Sequence, residues 1–151
     1  MAKIPAKIPE GFTTITPSLV LNGAAKAIDL YKKAFGAQEL YSMEVPGTGK
    51  IMHACLVIGN SKIFLSDTDP KMSATPSTSS FYLYIDDADT AFTQAKKAGL
   101  KELVPVQDMF WGDRMGAVED SFGIRWTLAT HVREVSQEEM EAARKSWGKA
   151  A

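Results

Sequence analysis

The sequence predicts an α+β protein made of two βαβββ modules. Three observations carry that expectation: two amphipathic helices that each follow a strand-like run, three more strand-like runs after each helix, and a Pro/Ser/Thr-rich stretch between the two sets. With 151 residues, 45% hydrophobic and 23% charged, the chain has the composition of one folded unit, residues 1–151. Its 17 Lys+Arg against 18 Asp+Glu leave a formal net charge of -1. That balance gives no sequence-wide field for phosphates or acidic lipid, so neither nucleic acid nor a membrane is an expected partner. The single cysteine, Cys55, cannot form an internal disulfide, and no apolar run approaches the roughly eighteen residues of a spanning helix. Residues 1–10 lack the apolar stretch of a secretory signal, and a cytoplasmic location is expected.

Along residues 12–22 the β-branched alternation places Ile15 and Leu19 on one side and Thr14, Thr16 and Ser18 on the other, as in a strand with one polar face. Asn22-Gly23 breaks it. Ala24, Ala27, Ile28, Tyr31, Ala34 and Phe35 then recur at helical spacing over 24–35, and Gly36 ends the helix. Strands follow over about 38–45, 50–58 and 62–67, divided by Pro46-Gly47 and Gly59-Asn60. Residues 68–79 read as a linker between module 1, about 12–67, and module 2, about 80–132. In module 2 a strand at 80–85 precedes a helix with Ala88, Ala91, Phe92, Ala95 and Ala98 on one face, ended by Gly99. Strands lie near Leu103, Met115 and Trp126. Ser136 and Glu139 form a capping-box pattern that opens a C-terminal helix, about 136–148, with Met140, Ala143 and Trp147 on one stripe to dock on a sheet or a partner subunit.

The two modules also repeat residue by residue. Lys32-Lys33-Ala34 matches Lys96-Lys97-Ala98 at an offset of sixty-four. Gly49, Met52, Ala54, Ile63 and Leu65 match Gly112, Met115, Ala117, Trp126 and Leu128 at sixty-three. A unit of one helix and four strands, present twice, implies two curved half-sheets with helices outside and a ligand cavity between them.

The segments AAKAIDLYKKAFGA, KIMHACLVIGNSKIFLSD and QDMFWGDRMGAVEDSFGIRWTLATHV resemble the vicinal oxygen chelate superfamily, in particular its PhnB-like, glyoxalase/bleomycin-resistance branch. The resemblance implies paired βαβββ modules, a U-shaped cavity, a homodimer, and four metal-facing strand positions that glyoxalase-like members fill with His and Glu. Alignment on the Ala-Ile-Asp helix puts the first of them at Thr16 and its repeat partner, sixty-four later, at Ser80; the other two fall at Phe64 and Thr127, the middles of Ile63-Phe64-Leu65 and Trp126-Thr127-Leu128. A ring and three neutral hydroxyls supply no charge to offset the desolvation of a divalent cation, so no metal or other cofactor is expected. His53 and Cys55, two apart on one strand, are the alternative chemistry: ligands of a noncanonical metal, or a nucleophile with its base. His131 is the only other histidine, and no third ligand or oxyanion hole accompanies them.

Strand parity then sorts the residues. Thr14, Ser18, Ser66, Tyr82, Tyr84 and Arg125 join the four aligned positions on the cavity face, with His53, Cys55, Val57 and Arg114. Ile15, Met52, Ala54, Leu56, Ile58, Ile63, Leu65, Phe81, Leu83, Ile85, Trp126 and Leu128 belong beneath the helices. Trp111, in the Phe110-Trp111-Gly112-Asp113 loop, is either a lid or loop core, whereas Glu119-Asp120-x-Phe122-Gly123 reads as a structural turn. A wall of hydroxyls, tyrosines, an imidazole and guanidinium suits a planar or anionic organic ligand. The leading expectation is metal-independent binding or sequestration of a small molecule. An enzyme of the lyase, isomerase or dioxygenase type comes second, and an interaction protein with a vestigial pocket third.

Overall fold

The elements run β1 (Ser18–Leu21), α1 (Ala24–Phe35), β2 (Gln38–Glu44), β3 (Ile51–Ile58), β4 (Ser61–Asp67), then β5 (Ser80–Tyr84), α2 (Ala88–Lys97), β6 (Lys101–Asp108), β7 (Asp113–Glu119), β8 (Arg125–His131) and α3 (Gln137–Trp147). This computed structural model describes residues 4–147 and 149. The chain divides into two compact units that part between Ser77 and Thr78. Each holds one βαβββ set in a four-stranded sheet, ordered β1-β4-β3-β2 in the first and β5-β8-β7-β6 in the second. The first strand of each set lies parallel to the fourth, and the other pairs are antiparallel. The twice-repeated order expected from the sequence is therefore the order found.

In the first unit the apolar stripe of α1, Ala24, Ala27, Ile28, Tyr31 and Ala34, is buried over Leu19, Leu21, Ala54, Leu56, Ile63 and Leu65. Gly36 closes the helix at φ 65°, with its N–H on the Lys32 carbonyl. The other end has no capping side chain of its own. Asp67, at the end of β4, supplies one: Oδ1 accepts the N–H groups of Gly23 (2.9 Å) and Ala24 (3.1 Å), and Oδ2 accepts that of Ile51 (2.7 Å). Burial pushes this carboxyl up, but the three backbone donors outweigh it and hold the group below the usual carboxylate value.

In the second unit α2 packs on β6, β7 and β8. Gly116 makes the approach close, since a Cβ there would meet the Phe92 ring and Val106 at 2.9 Å. Asp87 caps α2, and the Thr130 hydroxyl accepts the Ala88 N–H while donating to the Ile85 carbonyl. Asp120 holds the β7–β8 turn by accepting the N–H groups of Phe122 and Ile124 and the Trp126 indole N–H, with Gly123 at φ 83°. That is the structural role the turn residues predicted.

Several local expectations are corrected. The first strand begins at Ser18, because Pro17 has no N–H for the ladder, so Ile15 lies outside it and is 80% exposed. Met52 is exposed instead of lying beneath α1. Residues 68–77, ahead of the point where the two units part, carry local structure of their own: Pro70–Met72 forms a 3-10 turn, and Ser77 bonds to Val20 through both backbone and side chain. Ser136 caps α3 through the Glu139 N–H as its motif predicts; the expected last residue, Gly148, lies outside the described residues.

Candidate functional site

β5 alternates, so Ser80, Tyr82 and Tyr84 share one face, and their partners on β8, Arg125, Thr127 and Ala129, share it too. Across β7 that face continues through Glu119, Ala117, Met115 and Asp113, with His131 opposite Asp113. It is the face away from α2. The floor is apolar: Met109, Met115 and Ala129 form a buried cluster flanked by Val104 and Trp111.

Asp113 is the centre of the site, and the sequence did not single it out. The loop before it turns back at Gly112, whose φ is 101° and whose position a Cβ would drive into the Arg133 carbonyl. The chain then delivers Asp113 into the sheet with only 1% of its surface exposed. Its Oδ2 accepts the phenol protons of Tyr82 (2.7 Å) and Tyr84 (2.9 Å) and the indole N–H of Trp111 (3.2 Å). Oδ1 accepts from His131 Nδ1 at 2.9 Å. Since a carboxylate only accepts, both ring nitrogens donate here, Nδ1 to Asp113 and Nε2 to Glu134 Oε1 at 3.2 Å, which is the hydrogen bonding of the protonated imidazolium. Trp111 Nε1 also reaches the Tyr82 hydroxyl at 3.3 Å.

One carboxylate thus orders four rings. Burial raises the Asp113 carboxyl, but donation from His131, Tyr82, Tyr84 and Trp111 reverses this and holds it below its ordinary value. The bond to Asp113, then that to Glu134, raises His131. Burial, with Asp113 alongside, pushes the Tyr82 phenol up to about 12, so it stays protonated as a donor. Tyr84, raised mainly by its bond to Asp113, is nonetheless 67% exposed: an open ring held at its hydroxyl. The two phenol rings lie 5.3 Å apart at 56°.

Arg114 was expected on this wall and is not there. It lies on the α2 face, where Nε and Nη2 form a bidentate pair with Asp89 (2.7 and 3.0 Å) and Nη1 reaches Asp108 at 3.2 Å. The cause is one residue of register. Phe64 and Thr127 correspond at an offset of sixty-three, but their neighbours on β3 and β7, Cys55 and Ala117, differ by sixty-two, because the β7–β8 turn is one residue longer. The Met52/Met115 and Ala54/Ala117 matches therefore join residues of opposite face, and Arg114 inherited the wrong one.

Of the remaining expected residues, Tyr82, Tyr84, Trp111, Ser80, Arg125 and Thr127 are brought together on the second sheet. Phe64, His53 and Cys55 share the helix-free face of the first. Thr16 precedes β1; it is Ser18 that pairs with Phe64, and Tyr82 rather than Ser80 that pairs with Thr127. A serine beside a phenyl ring and a phenol beside a threonine are not a donor set for a divalent cation. Among the described residues no three His, Cys, Asp or Glu side chains gather as a metal site. His53 Nε2 bonds the Tyr41 hydroxyl at 2.9 Å, and burial pushes the Cys55 thiol up, with the Lys62 charge opposing.

The order and pairing of these strands agree with what the comparisons find. Residues 14–128 match the family model described as Glyoxalase/Bleomycin resistance protein/Dioxygenase superfamily, and the chain belongs to that superfamily. It is 41% identical over 144 residues to an uncharacterized protein of Mycobacterium bovis, covering 89% of this chain and 93% of that one. Among solved structures, TioX from Micromonospora sp. ML1 is similar at a TM-score of 0.68 and 25% identity, over 80% of this chain and 100% of TioX. Protein PA1353 from Pseudomonas aeruginosa is similar at 0.61 and 25%, over 81% and 100%. No helix among the described residues is long and apolar enough to cross a membrane.

Proposed function

We propose that this protein is a cytoplasmic, metal-independent small-molecule binding protein of the PhnB-like branch. The ligand is a planar organic acid held on the helix-free face of the second sheet. The observation that carries this reading is the Asp113 network, in which a buried carboxylate orders Tyr82, Tyr84 and Trp111 by their polar atoms and leaves ring surface exposed. Fixed rings lose little entropy when a flat ligand stacks on them. Arg125 takes the role expected of Arg114: it is on the same face, paired with Ser80 and two residues from Thr127, and it makes no ion pair among the described residues. Catalysis by Cys55 and His53 is disfavoured, since the thiol is buried and the imidazole is engaged by Tyr41.

Calorimetric titration with 2-naphthoate tests the reading. Arg125→Ala should weaken binding about tenfold, as loss of one half-exposed charge-assisted contact does, and Arg114→Ala should leave it unchanged. Trp111→Ala should mainly speed dissociation. Absence of binding, or sensitivity to Arg114 in place of Arg125, would contradict it.

The proposal includes a homodimer. β2 is exposed along its whole length as a sheet edge, with Leu40 51% and Met43 48% exposed, and α3 carries Trp147 at 58% exposure with no buried residue. Sedimentation equilibrium should give twice the 16.5 kDa chain mass at micromolar concentration. A monomer there would refute this part.

A further inference from the structure

We propose that α3 is a movable clasp whose last residue, Trp147, acts through Phe110 as a positioning residue for Trp111. The segment between β6 and β7 is a tight turn. Its Gly112 N–H bonds the Met109 carbonyl at 3.1 Å and the Met109 N–H bonds the Asp113 carbonyl at 2.7 Å, so Phe110 and Trp111 are the two central residues. Their rings meet edge-on, 5.0 Å apart at 84°. Trp111 packs against the Met109, Met115 and Ala129 floor and shares its indole N–H between Asp113 Oδ2 at 3.2 Å and the Tyr82 hydroxyl at 3.3 Å. A donor split between two acceptors at the long end of the hydrogen-bond range does not seat a ring firmly by itself. What else packs on Trp111 then decides how firmly it sits. Phe110 does so, and Trp147 lies against Phe110 in turn, at 5.4 Å and 57°.

The approach to α3 is tied to the same turn. The Gly112 carbonyl accepts the N–H groups of Val132 (2.9 Å) and Arg133 (3.2 Å), and a Cβ on Gly112 would meet the Val135 side chain at 3.2 Å. Beyond that anchor the helix holds itself together with local bonds. Ser136 accepts the Glu139 N–H at 3.1 Å, and Arg144 donates to both carboxylate oxygens of Glu141 at 2.6 and 3.0 Å. Glu138 and Glu139 stand in its first turn and Arg144 and Lys145 in its last, as the helix dipole favours. No residue of α3 is buried, and Met140 and Ala143 are half-buried. The Arg133–Glu139 ion pair, at 3.4 Å with both side chains more than half exposed, adds little. Such a helix can swing as a unit about residues 134–136, with its far end roughly 16 Å away at 1.5 Å per residue. The ring contact at that far end holds it down. Lifting α3 takes Trp147 off Phe110 and loosens Trp111 from Asp113 and Tyr82 without unfolding the sheet. What this does for a ligand rests on the binding role proposed for the Asp113 wall, but the clasp is tested with no ligand present, so the two readings fail separately.

Exchange of the Trp111 indole N–H with water, followed by NMR on the ligand-free protein, reads this seating directly. The indole N–H of Trp126, bonded to Asp120, is the internal control. Trp147→Ala should speed Trp111 exchange about fivefold, the scale of one lost ring pair, and leave Trp126 unchanged. Trp147→Phe, which keeps a ring against Phe110, should restore the slow rate. Phe110→Leu should speed exchange at least as much, and adding Trp147→Ala to it should change nothing further, because the effect passes through the Phe110 ring. A folded Trp147→Ala with Trp111 exchange as in wild type, failure of Trp147→Phe to restore the slow rate, or further acceleration in the double variant overturns the proposal. Equal acceleration of Trp111 and Trp126 does so as well, since it reports general loosening. If Phe110→Leu does not fold, the two Trp147 variants decide.

Discussion

Asp113→Ala is expected to lower unfolding stability by about 2–4 kcal/mol, in the range for a buried, multiply bonded polar group whose partners are left behind. Four donors lose their acceptor at once. Tyr84 and Tyr82, 67% and 43% exposed, recover water, but Trp111 is half-buried and His131 loses its main proton-holding contact. Urea denaturation measures the loss; a change under about 0.5 kcal/mol, the scale of an ordinary surface substitution, would mean that the network is not formed. The same residues set a pH profile. The Asp113 carboxyl is lower folded than its ordinary 3.8, so its contribution is complete above that value and is lost as pH falls through the folded value. His131 is higher folded than 6.5, so its contribution is complete below 6.5 and is lost as pH rises through the folded value. The stability these two groups contribute should therefore be greatest between pH 3.8 and 6.5, and His131→Gln should remove the decline on the alkaline side while leaving the acid side in place.

Asp67→Ala is expected to cost about 2–3 kcal/mol, since an N-cap contributes about 1 and each further stranded buried donor a similar amount or more. The residue supplies the cap that Gly23 cannot, and it ties β3 to the same point through Ile51. Hydrogen exchange should show the first turn of α1 and the start of β3 opening together in the variant, with α2 unaffected. Uniform loss of protection across both units would contradict that local role. Asp67→Asn keeps one acceptor oxygen and should recover part of the loss.

The helices were legible because their signals are local: apolar stripes, terminal glycines, and the capping box at Ser136. The order of elements along the chain followed from their repetition. What the sequence concealed depends on single-residue events. Pro17 ends the ladder where alternation in residues 12–17 still reads as strand, which moved Thr16 and Ile15 out of place. The longer turn after β7 reversed the face of Arg114. Asp113 follows Trp111-Gly112, so by itself it reads as a turn residue. The usable signal was the spacing of Tyr82 and Tyr84, two phenols on one face that need an acceptor when partly buried, and a carboxylate entering the neighbouring sheet region opposite a histidine.

The central claim, that Asp113 organises a ligand-binding wall, is tested most directly by the three indole N–H resonances of the protein in the presence of 2-naphthoate. Trp111 bonds Asp113, Trp126 bonds Asp120, and Trp147 is exposed on α3. Saturable perturbation of the Trp111 resonance, with that of Trp126 unmoved and the Trp111 response lost in Asp113→Ala, is the predicted result. A Trp111 resonance that stays fixed at saturating ligand, or that responds equally in Asp113→Ala, would contradict the account.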